Sequence, residues 1–576
     1  MESGYSALLS LEKIARPSGE IRADNEYIQR FGESNKKFAA AFPEDKRVTE
    51  VLLNGTEVFF HLGNFVESRT MAQQLMQHKL STEKDKYVAQ RYIAESFLKE
   101  EAYGKSEEEI KKAIALVPTT DRKDLPMLER ALAVSLYKQA EGLKSEGKVK
   151  EAAGAFKKVY DTAPNTDIAS VALYDAGVLY EQDKDMDNAI NAFQLLFLRY
   201  PTSRYTPVAV SEWGEILESR GAYISAAQVY EKASAVLEDR RVREDLLYKA
   251  IILYKKSGNI DTMYNSYYKN FERFQTEFPD SPKLIELTFD AAASREALKD
   301  HTTAKTLYEK TISLHKRLGA AATMETTITA AKAQLILGDY KKKFYEYIKI
   351  VQPLEENLKK KEGLLKDALA DYTVAAKYRI SDVTTEATFR MGEMFEHHKD
   401  AIMTSERPSE LTGEQLEEYN YLLEEQAYPF EEKAISIHEG NVKKTVEEGI
   451  YNLWVKKSYE RLSTLVPAKY KREEAGKPFT GDLSANIPDD PDTYNNRGMT
   501  FRENGEFKKA EEDYKRSIAL KPDFNSAVLN LGILYELYLG KFADALKNYK
   551  EYVKLGGDRK EVLSWIEMLE KRTGVK

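Results

Sequence analysis

Residues 490–556 decide the fold, and they read DPDTYNNRGMTFRENGEFKKAEEDYKRSIALKPDFNSAVLNLGILYELYLGKFADALKNYKEYVKLG. Small and aromatic residues mark a motif that ends in proline: Tyr494, Gly498, Phe501, Gly505, Ala510, Tyr514 and Pro522. The motif returns, with one inserted residue, at Leu531, Gly532, Tyr535, Gly540, Ala545 and Tyr549. Small residues such as Gly498 allow two helices to approach closely. Gly505 supplies the turn between these helices, and Pro522 ends the second helix because proline donates no backbone hydrogen bond.

The same spacing occurs three more times upstream. These copies contain Ala140, Leu143, Gly147, Ala152, Phe156 and Pro164; Gly177, Tyr180, Ala189, Phe193 and Pro201; and Gly214, Leu217, Gly221, Ala226, Tyr230 and Ala233. The pattern resembles the tetratricopeptide repeat, a helix–turn–helix unit of about 34 residues. The resemblance implies an all-α fold, a tetratricopeptide-type α-solenoid or superhelix of stacked repeats. Roughly ten to twelve such units would account for most of the chain.

The repeats predict three segments. Residues 1–467 form a repeat superhelix with irregular N-terminal helices and an acidic insert at about 406–439. Residues 468–489 contain prolines and glycines without a helical period, which predicts a linker. Residues 490–576 form a C-terminal repeat pair whose open end is covered by an amphipathic helix at 559–572.

Composition restricts the function. The chain has 576 residues, with 86 basic against 94 acidic residues, so its net charge of −8 disfavours general binding of nucleic acid or anionic membranes. Cysteine is absent, which excludes disulfides, cysteine zinc sites and thiol nucleophiles. No apolar stretch reaches the length of a membrane span, so we expect no direct membrane insertion. Protein or peptide partners are the expected ligands.

Motifs for catalysis are not found. The sequence has no Walker phosphate loop, no GxGxxG after a strand and no GxSxG elbow. Candidate metal ligands concentrate only in GEMFEHHKD: Glu393, Glu396, His397, His398 and Asp400. The HExxH pattern of zinc hydrolases is absent there, and these residues are predicted to lie on the surface. We therefore expect no enzyme activity, no metal and no cofactor.

Two sets of residues are candidates for a binding groove. Residues on the first helices of repeats are predicted to line the concave face: Tyr137, Tyr174, Glu181, Tyr254 and Arg502. Aromatic residues at alternating steps of three and four form a stripe: Tyr264, Tyr267, Phe271, Phe274 and Phe278. Packing in the core is the favoured interpretation of this stripe. The alternative is that part of it, including Tyr264, Tyr267 and Phe271, anchors a partner.

The acidic insert is a third candidate. Residues 406–439 hold ten glutamates against Arg407 and Lys433. Thr412 and Gln415 form a capping-box pattern that predicts a helix start. A solvated acidic helix face is the favoured interpretation. The alternative is a docking surface for a basic partner, with Glu417, Glu418, Glu424 and Glu425 as contact residues and with binding that weakens as salt rises.

The C-terminal pair contains asparagines at equivalent repeat positions, Asn496 and Asn530. Tyr494-Asn495-Asn496-Arg497 resembles part of the clamp with which some tetratricopeptide domains bind chaperone carboxylates. Met499 and Ile533 depart from that pattern, because the clamp uses Asn or a basic residue there. A structural role for the two asparagines is favoured, and recognition of an extended peptide backbone is the alternative.

Two further features resemble envelope proteins of bacteria. Aromatic-proline helix ends occur at Phe42-Pro43, Tyr200-Pro201 and Phe278-Pro279, as in repeats of periplasmic and outer-membrane assembly factors. Most of the chain, and especially residues 403–442, is similar to long repeat proteins of deltaproteobacterial envelopes, some of them in gliding machinery. The resemblance implies a non-catalytic scaffold in the periplasm or at the outer membrane. A cytoplasmic adaptor or co-chaperone-like module is the alternative.

Overall fold

The computed structural model describes residues 2–17, 19, 21, 25–119, 122–259 and 262–575. All regular secondary structure within these ranges is helical, which confirms the all-α class. The chain divides into two compact units, Met1–Pro279 and Asp280–Lys576. Both predicted segment boundaries, at 467/468 and 489/490, fall inside the second unit, and they stay predictions. None of the helices in the described ranges is both long enough and apolar enough to cross a lipid bilayer.

The first unit consists of consecutive helices, each packed against the next. They are α1 Glu2–Ala15, α2 Glu26–Ala41, α3 Val48–His61, α4 Phe65–Gln77, α5 Glu83–Lys99, α6 Tyr103–Leu116, α7 Leu125–Ser145, α8 Val149–Thr162, α9 Asp167–Gln182, α10 Met186–Arg199, α11 Thr206–Ser219, α12 Tyr223–Val236, α13 Arg240–Lys256, a π-helix Met263–Tyr267 and α14 Tyr268–Glu277.

The second unit has longer helices in its middle and shorter ones at its end. They are α15 Lys283–Ala297, α16 His301–Leu318, a 3₁₀ turn Gly319–Ala321, α17 Met324–Tyr347, α18 Leu354–Lys377, α19 Ser381–Met403, α20 Gly413–Glu447, α21 Leu453–Leu465, α22 Pro467–Tyr470, α23 Pro491–Glu503, α24 Phe507–Leu520, α25 Asn525–Ile533, a π-helix Leu534–Tyr538, α26 Phe542–Lys554 and α27 Glu561–Thr573.

Four of the five clear repeats place a glycine of the first helix against an aromatic ring of the second, and the remaining one has Ala140 at that position. A Cβ added to Gly498 would lie 2.7 Å from Cε1 of Tyr514, and one added to Gly532 would lie 2.7 Å from Cε1 of Tyr549. Both rings are fully buried. The two helices therefore approach so closely that the ring occupies the place of a side chain, which is the reason for the spacing of small and aromatic residues in the sequence.

The turn inside each repeat needs left-handed backbone. Gly505 has a φ of +80° and Gly540 a φ of +64°, which glycine adopts without the cost that a Cβ imposes. The repeat of α9 and α10 has Lys184 near this point instead, with a φ of +62°. The left-handed turn is therefore kept in that repeat although a lysine replaces the glycine that favours it.

Candidate peptide-binding surface

The segment Arg472–Phe479 lies across the first helices of the C-terminal repeat pair, α23 and α25. The main chain of Ala475 is held at both of its polar groups. Its N–H donates to Oδ1 of Asn530 at 2.7 Å, and its carbonyl oxygen accepts from Nδ2 of Asn495 and Nδ2 of Asn530, each at 2.8 Å. A fourth hydrogen bond, from Nδ2 of Asn530 to Oδ1 of Asn495 at 2.9 Å, joins the two asparagines. Two buried amides thus bind one residue of an extended chain.

Contacts to the main chain continue along the segment. The N–H of Lys477 donates to Oδ1 of Asn496 at 3.1 Å. The N–H of Phe479 lies 2.8 Å from Oγ1 of Thr500 and 3.2 Å from the carbonyl oxygen of Asn496. Because these contacts use backbone atoms, they do not depend on which side chains the segment carries.

One acidic side chain of the segment is bound specifically. The carboxylate of Glu474 accepts hydrogen bonds from the Arg502 guanidinium and, at 2.7 Å, from Oη of Tyr514. Burial and the charge of Glu474 raise the pKa of Tyr514 well above its ordinary value, so this phenol stays a neutral donor. The pair of donors makes this position selective for an acceptor with negative charge.

A buried ion pair anchors the start of the segment. Nε and Nη2 of Arg472 each lie 2.9 Å from a carboxylate oxygen of Glu536, in the forked geometry that favours arginine. The guanidinium also lies 4.3 Å from the ring centroid of Trp565, on helix α27. The same Glu536 accepts from Oη of Tyr549 at 2.7 Å. Helix α27 therefore contributes to holding the segment.

The middle of the segment fits closely against α23. Gly476 has a φ of +132°, a conformation that favours glycine. A Cβ at this position would lie 2.6 Å from Oδ1 of Asn496 and 2.7 Å from Nδ2 of Asn495. A larger residue is therefore excluded by both backbone conformation and space.

Three of the predicted binding residues meet at this surface: Asn496, Arg502 and Asn530. Asn495 was named only within the clamp-like stretch and was not predicted to bind, and neither were Thr500 and the segment itself, including Glu474. Asn495 directly precedes Asn496, which was predicted, so the alignment of the repeats could have identified Asn495 as well. The segment gave no such indication, because its main-chain contacts leave no pattern in its side chains.

The predicted groove residues of the first unit lie elsewhere. Tyr137 is half-buried and donates from Oη to Oδ2 of Asp175 at 2.6 Å. Tyr174 is half-buried and stacks on Tyr205 at a ring distance of 5.1 Å. Glu181 is also half-buried. Their role in partner binding stays a prediction.

Three residues proposed for the groove belong to the core. The burial of Tyr254 corrects its assignment to the concave face. The burial of Tyr267 and Phe271 confirms the favoured core interpretation of the stripe and corrects the alternative that they anchor a partner. The side chain of Tyr264 lies outside the described residues. A stripe with steps of three and four follows whichever face of a helix is covered, so the pattern alone did not distinguish core from groove.

The acidic insert forms most of the long helix α20. Oε1 of Gln415 accepts from the backbone N–H of Thr412 at 3.1 Å, consistent with the predicted helix start. Glu417, Glu418, Glu424 and Glu425 are exposed. Tyr421 and Tyr428, which are 60% and 58% exposed, lie among these glutamates, while Leu423 and Ala427 are buried on the opposite side. The exposed face thus combines negative charge with aromatic surface.

Two of the five candidate metal ligands, Glu396 and His398, were assigned wrongly to the surface because both are buried, whereas Asp400 is exposed as predicted. Oε1 of Glu396 lies 2.9 Å from Nε2 of His438, and Oε2 lies 3.0 Å from Nε of Arg461. Helix α19 contacts α17, α18, α20 and α21, which leaves it little free surface. Within the described ranges, no three His, Asp or Glu side chains are grouped as a metal site would require.

His398 predicts a dependence of stability on pH. Its burial, with the charge of Lys361 nearby, lowers the pKa of His398 to about 4, against about 6.5 in an unfolded chain. Unfolded protein therefore binds the proton more tightly, and stability falls as the pH falls from about 7 to about 4. We expect His398→Gln to remove roughly 2 kcal/mol of the stability difference between about pH 7 and pH 5.

Urea unfolding at the two pH values measures this difference. His301→Gln serves as the control, because it removes an imidazole that is exposed to solvent. An unchanged pH dependence in His398→Gln would show that folding does not lower the pKa of His398.

Comparison with known proteins agrees with the repeat geometry. The family model of the tetratricopeptide repeat matches residues 491–524, and a second model of the same repeat matches residues 171–203. These matches and the fold define the class: the chain carries tetratricopeptide repeats in an all-α solenoid. A search of the curated proteins found no match.

A solved structure, described as the functional characterization of Pseudomonas aeruginosa PilF, is similar in part. It covers 41% of this chain and 95% of its own chain, at 17% identity and a TM-score of 0.18. A likeness with this score supports no argument about the function of the present chain.

Proposed function

We propose that the chain is a non-catalytic scaffold that binds partner proteins or extended peptides through the concave faces of its tetratricopeptide repeats. One observation carries the proposal. In the C-terminal pair, Asn495, Asn496 and Asn530 already bind an extended segment through its backbone. The surface therefore has the donors and acceptors that a peptide site requires.

The arrangement suits binding because it is preformed. Asn495 on α23 and Asn530 on α25 are joined by a side-chain hydrogen bond of 2.9 Å that does not involve the segment, and this bond orients both amides. A partner then loses its own conformational freedom, while the receptor loses little. Backbone contacts supply affinity, and the pair Arg502 and Tyr514 supplies a preference for an acidic side chain.

We assign the scaffold to a bacterial envelope assembly or motility complex, in the periplasm or at the outer membrane. The aromatic-proline helix ends and the similarity of residues 403–442 to envelope repeat proteins support this assignment. The alternative, a cytoplasmic adaptor that clamps chaperone carboxylates, gains no support from Met499 and Ile533. Both are buried apolar residues at positions where the clamp would present polar ones.

The exposed face of α20 is proposed as a second surface, for a basic partner. Its glutamates attract positive charge, and Tyr421, Leu422 and Tyr428 add exposed apolar area that a partner would cover. The attraction acts between solvent-exposed groups, so added salt weakens it.

Capture of partners tests both proposals. The tagged chain is crosslinked in native cells and purified separately from envelope and cytoplasmic fractions. We expect stoichiometric partners in the envelope fraction. Replacing Glu417 and Glu418 with glutamine should reduce capture of a basic partner about two- to thirtyfold at low salt, since each exposed ion pair contributes about 0.2–1 kcal/mol. The loss should shrink at high salt.

A matched variant controls for the loss of charge alone. Glu355 and Glu356 are also adjacent, exposed glutamates on a helix of the second unit, and their replacement by glutamine should leave capture unchanged. Equal capture by both double variants would argue against docking at α20. Partners found only in the cytoplasmic fraction would contradict the envelope assignment.

A further inference from the structure

The residues that hold the segment Arg472–Phe479 would hold another chain equally well. Gly476, Lys477 and Pro478 are exposed, and the contacts around them go to backbone N–H and carbonyl groups. The segment has no helical structure between Lys471 and Thr480. It therefore occupies the surface as an extended ligand would.

The contacts also define which ligands fit. The position of Glu474 faces a guanidinium and a neutral phenol, which favour a carboxylate. The next residue lies between Asn495 and Asn530 and is small, and the one after it must be glycine for reasons of space and conformation. A ligand for this surface is an extended stretch that contains a glutamate followed by a small residue and then glycine.

Attachment to the chain keeps the segment in place. Its first residue is anchored by the ion pair of Arg472 with Glu536, and its other end continues to α23 at Pro491. A short tether gives a bound segment an effective concentration in the millimolar range. A free peptide with the same contacts competes poorly against it unless the tethered copy is weakened.

We propose that Glu474–Phe479 is an internal ligand that blocks the peptide site of the C-terminal pair, and that a partner displaces it with an extended Glu–small–Gly stretch of its own. This inference rests on the proposed function, because it names the ligand class and the regulation of the same surface. The site is closed in the free chain and opens when the partner competes.

The test uses the full chain and a labelled synthetic peptide, KREEAGKPFT, which reproduces residues 471–480. Binding is followed by fluorescence anisotropy. Gly476→Val removes the internal copy from the surface, because its side chain would overlap Asn495 and Asn496. We expect this variant to bind the peptide at least tenfold more tightly than the wild-type chain.

A second variant guards against misfolding of the first. Ala475→Pro removes the N–H that donates to Asn530, and it should also increase peptide affinity. Thr480→Ala, at an exposed residue just outside the segment, is the matched control and should bind like the wild type. The peptide itself carries the specificity test: Glu474→Lys in the peptide should reduce its affinity for Gly476→Val at least tenfold.

Two results would overturn the proposal. Equal or absent peptide binding across the wild type and both opened variants would show that the segment is a permanent part of the fold. A dimeric wild-type chain that becomes monomeric in Gly476→Val would show that the segment fills the site of a second copy instead.

The outcomes also separate this proposal from the scaffold function. If the wild type captures partners but the opened variants bind no peptide, only the proposal of an internal ligand is contradicted. If the opened variants bind the peptide but no partner is captured, only the proposal of a scaffold is contradicted.

Discussion

Replacing Phe193 with alanine is expected to lower the free energy of unfolding of the first unit by about 3–5 kcal/mol. The ring of Phe193 is fully buried and lies against Gly177 so closely that a Cβ at Gly177 would overlap it. The ring therefore takes the place of a side chain on α9. No residue of α9 at that point reaches into the space that alanine would leave.

The cost depends on whether the repeat relaxes around the cavity. Helices α9 and α10 contact each other, α9 is also packed against α7 and α8, and α10 against α11. These neighbours hold the two helices apart, so we expect little collapse and a loss near the upper end of the range. Tyr174, whose ring centroid lies 6.4 Å from that of Phe193, loses part of its packing as well.

Urea unfolding measures the loss, followed through the fluorescence of Trp213 in the same unit after Trp454 and Trp565 of the second unit have been replaced by phenylalanine in every variant. A local probe is preferable because repeat arrays depart from two-state unfolding. Leu198→Ala on the same helix is the matched control, since Leu198 is 62% exposed and its truncation should cost less than about 0.5 kcal/mol. A loss below about 1 kcal/mol for Phe193→Ala would contradict the packing described for this repeat.

Phe193 and Gly177 also show why the fold was predictable from the sequence. Each clear repeat needs a small residue opposite a large one, and this requirement recurs at a fixed spacing. The turn was less certain, because Lys184 stands where other repeats have glycine. The buried Glu396 and His398 were misjudged because the sequence does not show how many neighbours cover helix α19.

Only the receptor residues of the binding surface were predictable from the sequence, and the segment that they bind was not. Asn496, Asn530 and Arg502 occupy recognisable positions on repeat helices, and the repeat itself suggested that such positions face a groove. The segment that they bind has no periodicity, and its contacts are made by backbone atoms that every residue possesses. The prolines and glycines of residues 468–489 predicted a linker, and they gave no indication of what the segment contacts.

Arg472→Met is expected to destabilise the second unit by about 3–5 kcal/mol, because it leaves Glu536 as a buried carboxylate without its cation. The Arg472 side chain has no solvent exposure and that of Glu536 only 7%. Tyr549 still donates to Glu536, but a single phenol replaces neither the charge nor the two forked hydrogen bonds. Hydrogen exchange of the Ala475 and Lys477 amides should accelerate in the same variant, since the segment loses its anchor.

A double-mutant cycle separates the buried charge from the lost packing. Glu536→Gln added to Arg472→Met removes the uncompensated charge, so the double variant should regain part of the lost stability. Lys471→Met is the control. The side chain of Lys471, next to Arg472 in the sequence, is 63% exposed, so this substitution should change the free energy of unfolding by less than about 0.5 kcal/mol. If Arg472→Met behaves like this control, the ion pair contributes little and the segment is held by its backbone contacts alone. If the double variant is no more stable than Arg472→Met, lost packing of the arginine against Trp565 accounts for the effect in place of charge burial.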